Sequence, residues 1–240
     1  MGEQGPLVRW DRWRAVLFDL DGVITPTAEV HQRAWAELFR PWGFTTDDYL
    51  AHVDGKPRYD GVRDFLASRD VVLPDGVAAD PPGDATVAAL GNRKDVLFRE
   101  LLDREGVEPY PGTMAVLEVL DRAGVAQAVV SSSRNARPVL RAAGLGDRFP
   151  HVVDGVTLDE EGLAGKPAPD MFLRAAALLD VEPGDAVVVE DASSGVAAGA
   201  AGGFGLVLGV DRGGNRQALL DSGAHLVVED LGETLEEVGS

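Results

Sequence analysis

Four runs in the second half of the chain, Ala126 to Val130, Ala186 to Val189, Leu206 to Val210 and Leu226 to Val228, are short, rich in Val and bounded by Gly, Asp or Ser. Apolar runs without alternation are how strands buried on both faces read. Between them, Thr113 to Ala123, Pro169 to Leu179 and Asn215 to Ser222 carry apolar residues at helical spacing, and Gly124, Gly144 and Gly223 stand where C-caps belong. Strand–helix alternation of this kind implies right-handed crossovers and a parallel sheet covered by helices on both faces. The fold class expected is therefore α/β, a doubly wound parallel sheet with a Rossmann-like core.

One strand stands apart. Ala15 to Phe18 is apolar and runs into Asp19-Leu20-Asp21-Gly22, after which the alternation stops. Ala28 to Pro41, Asp47 to Val53, Tyr59 to Ser68 and Asp84 to Glu105 all read as helices, with Trp35, Leu38 and Phe39, and then Val96, Leu97, Leu101 and Leu102, at helical spacing. A Pro/Gly-rich loop, Leu73 to Gly83, lies among them. The pattern predicts a helical cap domain over 27–106 inserted into a core formed by 1–26 and 107–240. The acidic end, Glu229 to Glu237, reads as a solvated terminal helix.

Composition limits the partners. Of 240 residues 45% are hydrophobic, enough for a sizeable core. With 22 Lys+Arg against 40 Asp+Glu the net charge is −18, which disfavours nucleic acid and anionic membrane surfaces. The absence of Cys removes disulfides, thiolate metal sites and thiol nucleophiles together. Met1 to Pro6 shows neither a signal peptide nor a myristoylation pattern, and no apolar run reaches membrane-spanning length. A cytoplasmic protein acting as a monomer is expected.

Ligands of open parallel sheets bind beyond the C-terminal strand ends. There the sequence places Asp19 and Asp21, then Ser131-Ser132-Ser133-Arg134-Asn135, then Glu190-Asp191, with Lys166-Pro167 in the loop before the Pro169 stretch. Side chains two apart on an extended segment point the same way, so Asp19 and Asp21 can face one site. Asp19, Asp21, Glu190 and Asp191 together call for a hard cation, and oxygen donors without His or Cys suit Mg²⁺. An EF-hand loop is excluded, because Ile24 and Val30 occupy the positions needing Gly and Glu. A carboxylate can attack phosphorus to form an aspartyl-phosphate. Asp19 would be that nucleophile, and Lys166 would neutralise charge between it and the phosphoryl oxygens. The Ser131 hydroxyl and the Ser132 N–H would hold the group, and Asp21 would serve as general acid and base.

These motifs, in the order Asp19-Leu-Asp21-Gly22-Val-Ile-Thr25, Ser131 to Asn135, Lys166-Pro-Ala-Pro-Asp170 and Glu190-Asp191-Ala-Ser-Ser-Gly195, resemble those of the haloacid dehalogenase superfamily. More narrowly the chain looks like the β-phosphoglucomutase family, whose helical cap follows the first strand. The resemblance implies that His31, twelve residues after Asp19, contacts the acid/base aspartate, with Trp35 near the sugar. It implies that Gly55-Lys56-Pro57-Arg58 is the cap substrate loop, with Arg58 on the non-transferring phosphate. Lys94 matches another cap lysine, an exposed helix lysine being the alternative reading. Ser133, Arg134 and Asn135 would complete the distal phosphate site. Asp54 departs from the pattern, standing where such mutases have Lys before the Gly. Thr25-Pro26-Thr27 resembles the first hinge strand. Gly202-Gly203-Phe204-Gly205 lacks the Lys-Ser/Thr of a P-loop and precedes a strand, so packing explains it better.

The function expected is Mg²⁺-dependent interconversion of β-D-glucose 1-phosphate and glucose 6-phosphate through a phosphoenzyme and glucose 1,6-bisphosphate. The alternatives are a sugar-phosphate phosphatase and, from another class, a non-catalytic phosphosugar-binding module. The last would be expected to lack at least one of Asp19, Asp21, Lys166 or Asp191, and all four are present.

Overall fold

The computed structural model describes residues 7–54 and 56–235. The chain divides into two compact units, one comprising Met1–Pro26 with Glu108–Ser240 and the other Thr27–Val107. In chain order the elements are β1 (Ala15–Phe18), α1 (Thr27–Phe39), α2 (Thr46–His52), α3 (Arg58–Ala67), α4 (Val87–Glu105), α5 (Pro111–Ala123), β2 (Ala126–Val130), α6 (Ala136–Ala142), β3 (Val152–Val153), α7 (Gly155–Glu161), α8 (Asp170–Leu178), β4 (Ala186–Glu190), α9 (Ser193–Ala201), β5 (Leu206–Val210), α10 (Arg216–Asp221) and β6 (Leu226–Val228).

The strands of the first unit form one parallel sheet in the order β3-β2-β1-β4-β5-β6. Every residue of β1 and β4 is buried, as the apolar runs Ala15–Phe18 and 186–189 require of central strands covered on both faces; Glu190 ends β4 buried as well. The chain leaves β1 to one side for β2 and to the other for β4, so β1 lies at the topological switch point. Register then decides the site. Phe18 pairs with Val129 on one side and Val189 on the other. Asp19, Val130 and Glu190 follow at the same level, and the Asp19 N–H donates to the Val189 carbonyl at 2.9 Å. Gly124 and Gly144 close turns in the left-handed region at φ +68 and +72.

The second unit buries an aromatic cluster of its own. Trp35, Leu38 and Phe39 from α1 meet Phe65 and Leu66 from α3 and Leu90 from α4, with the Phe39 and Phe65 rings 4.3 Å apart. The buried face of α4 runs through Leu90, Lys94, Phe98 and Leu102, an i, i+4 series. Val96 lies outside that stripe and is 42% exposed, correcting its expected place on the apolar face.

Other expectations shift for local reasons. α4 starts at Val87 rather than Asp84 because Thr86 is extended and caps it, its hydroxyl accepting from the Ala89 N–H at 2.9 Å. The segment expected as a solvated terminal helix is instead β6's exit and a short 3-10 helix, Leu231–Thr234, with Leu231 and Thr234 buried; residues 236 and 237 lie outside the described ones. Asp230 and Glu233 form a capping box there, which explains two of the acidic residues as local structure rather than solvation. Gly202 to Gly205 is a packed turn: a side chain on Gly205 would meet the Gly184 carbonyl at 2.2 Å. No helix among the described residues is long and apolar enough to cross a membrane.

Thr86 also donates to Asp80 at 2.6 Å, so one hydroxyl holds both the cap of α4 and the loop before it. Replacing Thr86 by Ala is expected to cost about 1 kcal/mol, read as a lowered midpoint of urea unfolding; an unchanged midpoint would show that the cap contributes nothing.

Candidate active site

The C-terminal ends of β1, β2 and β4 converge on a buried ammonium group. Lys166, 3% exposed, sends its three donors to the Asp19 Oδ1 at 2.6 Å, the Glu190 Oε1 at 2.6 Å and the Val130 carbonyl at 3.1 Å. An ammonium carries three protons, so all are used. The Phe172 ring of α8 lies 5.0 Å from Nζ and closes the pocket beneath. The loop that delivers Lys166 contains a cis Lys166–Pro167 peptide bond.

Glu190, expected among the cation ligands, directs both oxygens inward. Oε1 accepts from Lys166 and Oε2 from the Ala192 N–H at 2.8 Å. Gly195, in the first turn of α9, is what admits this carboxylate: a Cβ there would stand 1.7 Å from Oε1. Asp191 occupies the matching space at Gly22, whose absent Cβ would lie 1.7 Å from the Asp191 Oδ2. Gly22 also sits at φ +89, so both its conformation and its lack of a side chain are needed.

Beside this cluster, the buried Ser131 Oγ bonds to the Asp21 Oδ2 at 3.4 Å and accepts from the Ser133 N–H at 3.1 Å. The Ser133 Oγ in turn accepts from the Asn135 N–H at 3.1 Å, and Asn135 is the N-cap residue of α6. Ser131 to Asn135 is thus a tight strand-to-helix loop, with Ser132 inside it. Arg134, assigned by resemblance to a distal phosphate, forms an ion pair with Asp159 of α7.

Burial raises the pKa of Asp19 well above the ordinary carboxylate value, Glu190 and Asp21 push the same way, and Lys166 opposes them. Burial works against the Lys166 ammonium, but the charges of Asp19 and Glu190 outweigh it and hold its pKa above that of an ordinary lysine. Lys166 thus lies among carboxylates that offer only oxygen donors, a set suited to a hard divalent ion. Among the described residues no group of three or more His, Cys, Asp or Glu side chains stands ready to hold a metal.

In the other unit, three residues named separately from the sequence form one group. His31 of α1 stacks on Phe98 of α4 at 4.0 Å, and its Nδ1 bonds to the Lys94 Nζ. Lys94 is 4% exposed, with Nζ 5.2 Å from the Trp35 ring and 4.9 Å from Phe98, so it is not an exposed helix lysine. Arg58 opens α3, pairs with Asp95 at 3.5 Å and bonds to the Gly91 carbonyl at 3.5 Å. Lys56 pairs with Asp64. Gly55 lies outside the described residues.

Sequence reading passed over two residues after β5. The Asn215 Nδ2 donates to the Asp191 carbonyl at 3.0 Å, and the Arg212 Nε to the Gly22 carbonyl at 2.8 Å. Their signal was position: Asp211 to Asn215 leaves a strand at the same edge as the other motifs.

Gly195→Ala is expected to displace Glu190, free one Lys166 donor and lower turnover about a hundredfold, since small misplacements at a reacting centre carry that cost. Turnover at the wild-type level in a folded variant, verified by circular dichroism, would mean that the Glu190 position is unimportant.

Comparison with known proteins agrees with this geometry. The family model for haloacid dehalogenase-like hydrolases matches residues 13–203. The chain is 50% identical over 244 residues to a β-phosphoglucomutase of Mycobacterium bovis, covering 94% of this chain and 92% of that one. It is 34% identical over 198 residues to hexitol phosphatase A of Escherichia coli, covering 80% and 81%. Among solved structures, a β-phosphoglucomutase of Clostridium difficile superposes with a TM-score of 0.76 at 26% identity, covering 94% of each chain. The chain is an enzyme of the phosphotransferase/isomerase kind, and it belongs to the haloacid dehalogenase-like hydrolase family.

Proposed function

We propose that the enzyme is a β-phosphoglucomutase, interconverting β-D-glucose 1-phosphate and glucose 6-phosphate by way of a phosphorylated Asp19 and glucose 1,6-bisphosphate. The observation that carries the reading is the Lys166 ammonium held at 2.6 Å from both Asp19 and Glu190 at the sheet's switch point. The 50% identity to a protein named for this activity supports it.

In this reading Asp19 attacks phosphorus through a carboxylate oxygen, and the P–O bond to the sugar breaks. Asp21 gives a proton to the departing sugar oxygen. In the reverse sense Asp21 takes the proton from a sugar hydroxyl as that oxygen attacks the phosphoryl group on Asp19. Lys166 offsets negative charge as the phosphoryl oxygens approach Asp19. The Ser131 hydroxyl and the Ser132 N–H hold those oxygens in the strand-to-helix loop. The Asp19 and Asp191 carboxylates, with the main-chain carbonyl of Asp21, would hold Mg²⁺ and leave the Asp21 carboxyl for proton transfer, with Glu190 contributing by fixing Lys166; the ion would supply further charge neutralisation and orient the phosphoryl group. We assign His31, Trp35, Gly55, Arg58 and Lys94 to recognition of the sugar phosphate, together with Ser133, Arg134 and Asn135. The helical unit 27–106 is proposed to act as a cap, excluding water so that a sugar hydroxyl outcompetes it. A cytoplasmic location accords with a sugar-phosphate substrate.

A second reading, a sugar-phosphate phosphatase, has its own support in the 34% identity to hexitol phosphatase A. It keeps the phosphorylated Asp19 and ends the cycle with water. One assay separates them: the protein is given β-D-glucose 1-phosphate, Mg²⁺ and a trace of glucose 1,6-bisphosphate, and glucose 6-phosphate and free phosphate are both measured. Glucose 6-phosphate should accumulate in large excess; free phosphate without it would reject the mutase in favour of the phosphatase.

Asp19→Asn should lower turnover by at least about a thousandfold with the fold retained, as loss of a nucleophile does elsewhere. Chelation with EDTA should abolish activity, and added Mg²⁺ should restore it. Activity that survives either treatment would remove the corresponding role.

A further inference from the structure

The turn bearing Asp21 is closed on itself and then gripped from outside. The Ile24 and Thr25 N–H groups both donate to the Leu20 carbonyl at 3.0 Å, and the Gly22 N–H donates to the Thr25 carbonyl at 2.7 Å. The Gly22 carbonyl faces outward and accepts from the Arg212 Nε at 2.8 Å. The same guanidinium donates through Nη1 to the Glu229 carbonyl at 2.8 Å and pairs with Asp230 at 3.5 Å. It lies 3.7 Å from the centre of the Tyr110 ring, and the Tyr110 N–H donates to the Ile24 carbonyl at 2.9 Å. Arg212 thus ties three segments together: the turn after β1, the chain leaving β6, and the approach to α5. On the opposite flank, Asp191 fills the space that a Gly22 side chain would take.

We infer that Arg212 is a positioning residue for proton transfer at Asp21, acting through the Gly22 carbonyl. The direction of the Asp21 carboxylate is set by the backbone that carries it, and Arg212 fixes that backbone one residue away. Neither the strand ends nor the phosphoryl loop requires an arginine here; a residue serving only to close β6 would need no bond to Gly22. The geometry also selects arginine over lysine. The guanidinium reaches the Gly22 and Glu229 carbonyls through two different nitrogens, Nε and Nη1, while its carbon lies over Tyr110, whereas an ammonium would have to serve both carbonyls from one atom. The inference rests on the reading of Asp21 as general acid and base.

The test exploits leaving-group chemistry. A sugar alkoxide needs a proton to leave, whereas acetate leaving from acetyl phosphate does not. Full-length wild type, Arg212→Lys and Arg212→Met are compared in Mg²⁺ on two reactions, turnover of β-D-glucose 1-phosphate and phosphorylation of Asp19 by acetyl phosphate. Both variants should lose about tenfold or more in kcat on the sugar phosphate, a part of what acid–base assistance supplies, with KM within about twofold. Labelling by acetyl phosphate should stay within about twofold of wild type. If the two reactions fall in parallel, or if Arg212→Lys matches wild type on the sugar phosphate, the inference is overturned while the phosphoenzyme reading stands. Wild type that takes no label from acetyl phosphate overturns that reading and the inference with it. Should Arg212→Met fail to fold, Arg212→Lys decides alone.

Discussion

Everything at the strand ends depends on one buried cation shared by two buried anions. Lys166, Asp19 and Glu190 are each withdrawn from water, and each would be costly to bury alone. Joined at 2.6 Å, with the Val130 carbonyl as third acceptor, they satisfy one another. Such a group adds little net stability compared with apolar packing, and losing one member strands the others. Its value is positional: Asp19 is held in place beside a permanent positive charge. Asp21 and Asp191 add oxygen donors at the same strand ends, and such donors suit a hard divalent ion.

The sheet makes this arrangement possible at small conformational cost. Parallel register places Asp19 and Glu190 at one level on neighbouring strands, so their separation is a property of backbone pairing rather than of flexible side chains. Two glycines permit the close approach. Gly195 leaves room for Glu190 and Gly22 for Asp191, and in both cases a methyl group would overlap a carboxylate. The requirement for glycine is steric at Gly195 and both steric and conformational at Gly22.

The strands are legible because central strands of a parallel sheet are apolar: β1, β2, β5 and β6 begin and end where the apolar runs do. β3 is not, since Val152–Val153 is too short to carry a pattern. Helix ends moved wherever a cap overrode periodicity, as at Thr86. The site residues could be placed at one edge by topology alone, but their partners could not be read. Glu190 looks like Asp191 in sequence, and only the inward space at Gly195 distinguishes their surroundings. Lys94 reads in sequence either as a cap lysine or as an exposed helix lysine, and only α4's i, i+4 stripe, which turns it toward Trp35 and Phe98, decides between burial and exposure. Arg212 gave no motif at all, because its role consists of contacts with three distant segments.

The central claim is that Asp19 receives the phosphoryl group while Lys166 stays anchored to Glu190. A crystal structure grown with Mg²⁺ and beryllium fluoride, a tetrahedral mimic of a carboxylate-bound phosphoryl group, examines both parts at once. Beryllium is expected to be bonded to an Asp19 oxygen, with Lys166 still bridging from Asp19 to Glu190. Beryllium fluoride bonded to another side chain, or Lys166 swung away from Glu190, would contradict it.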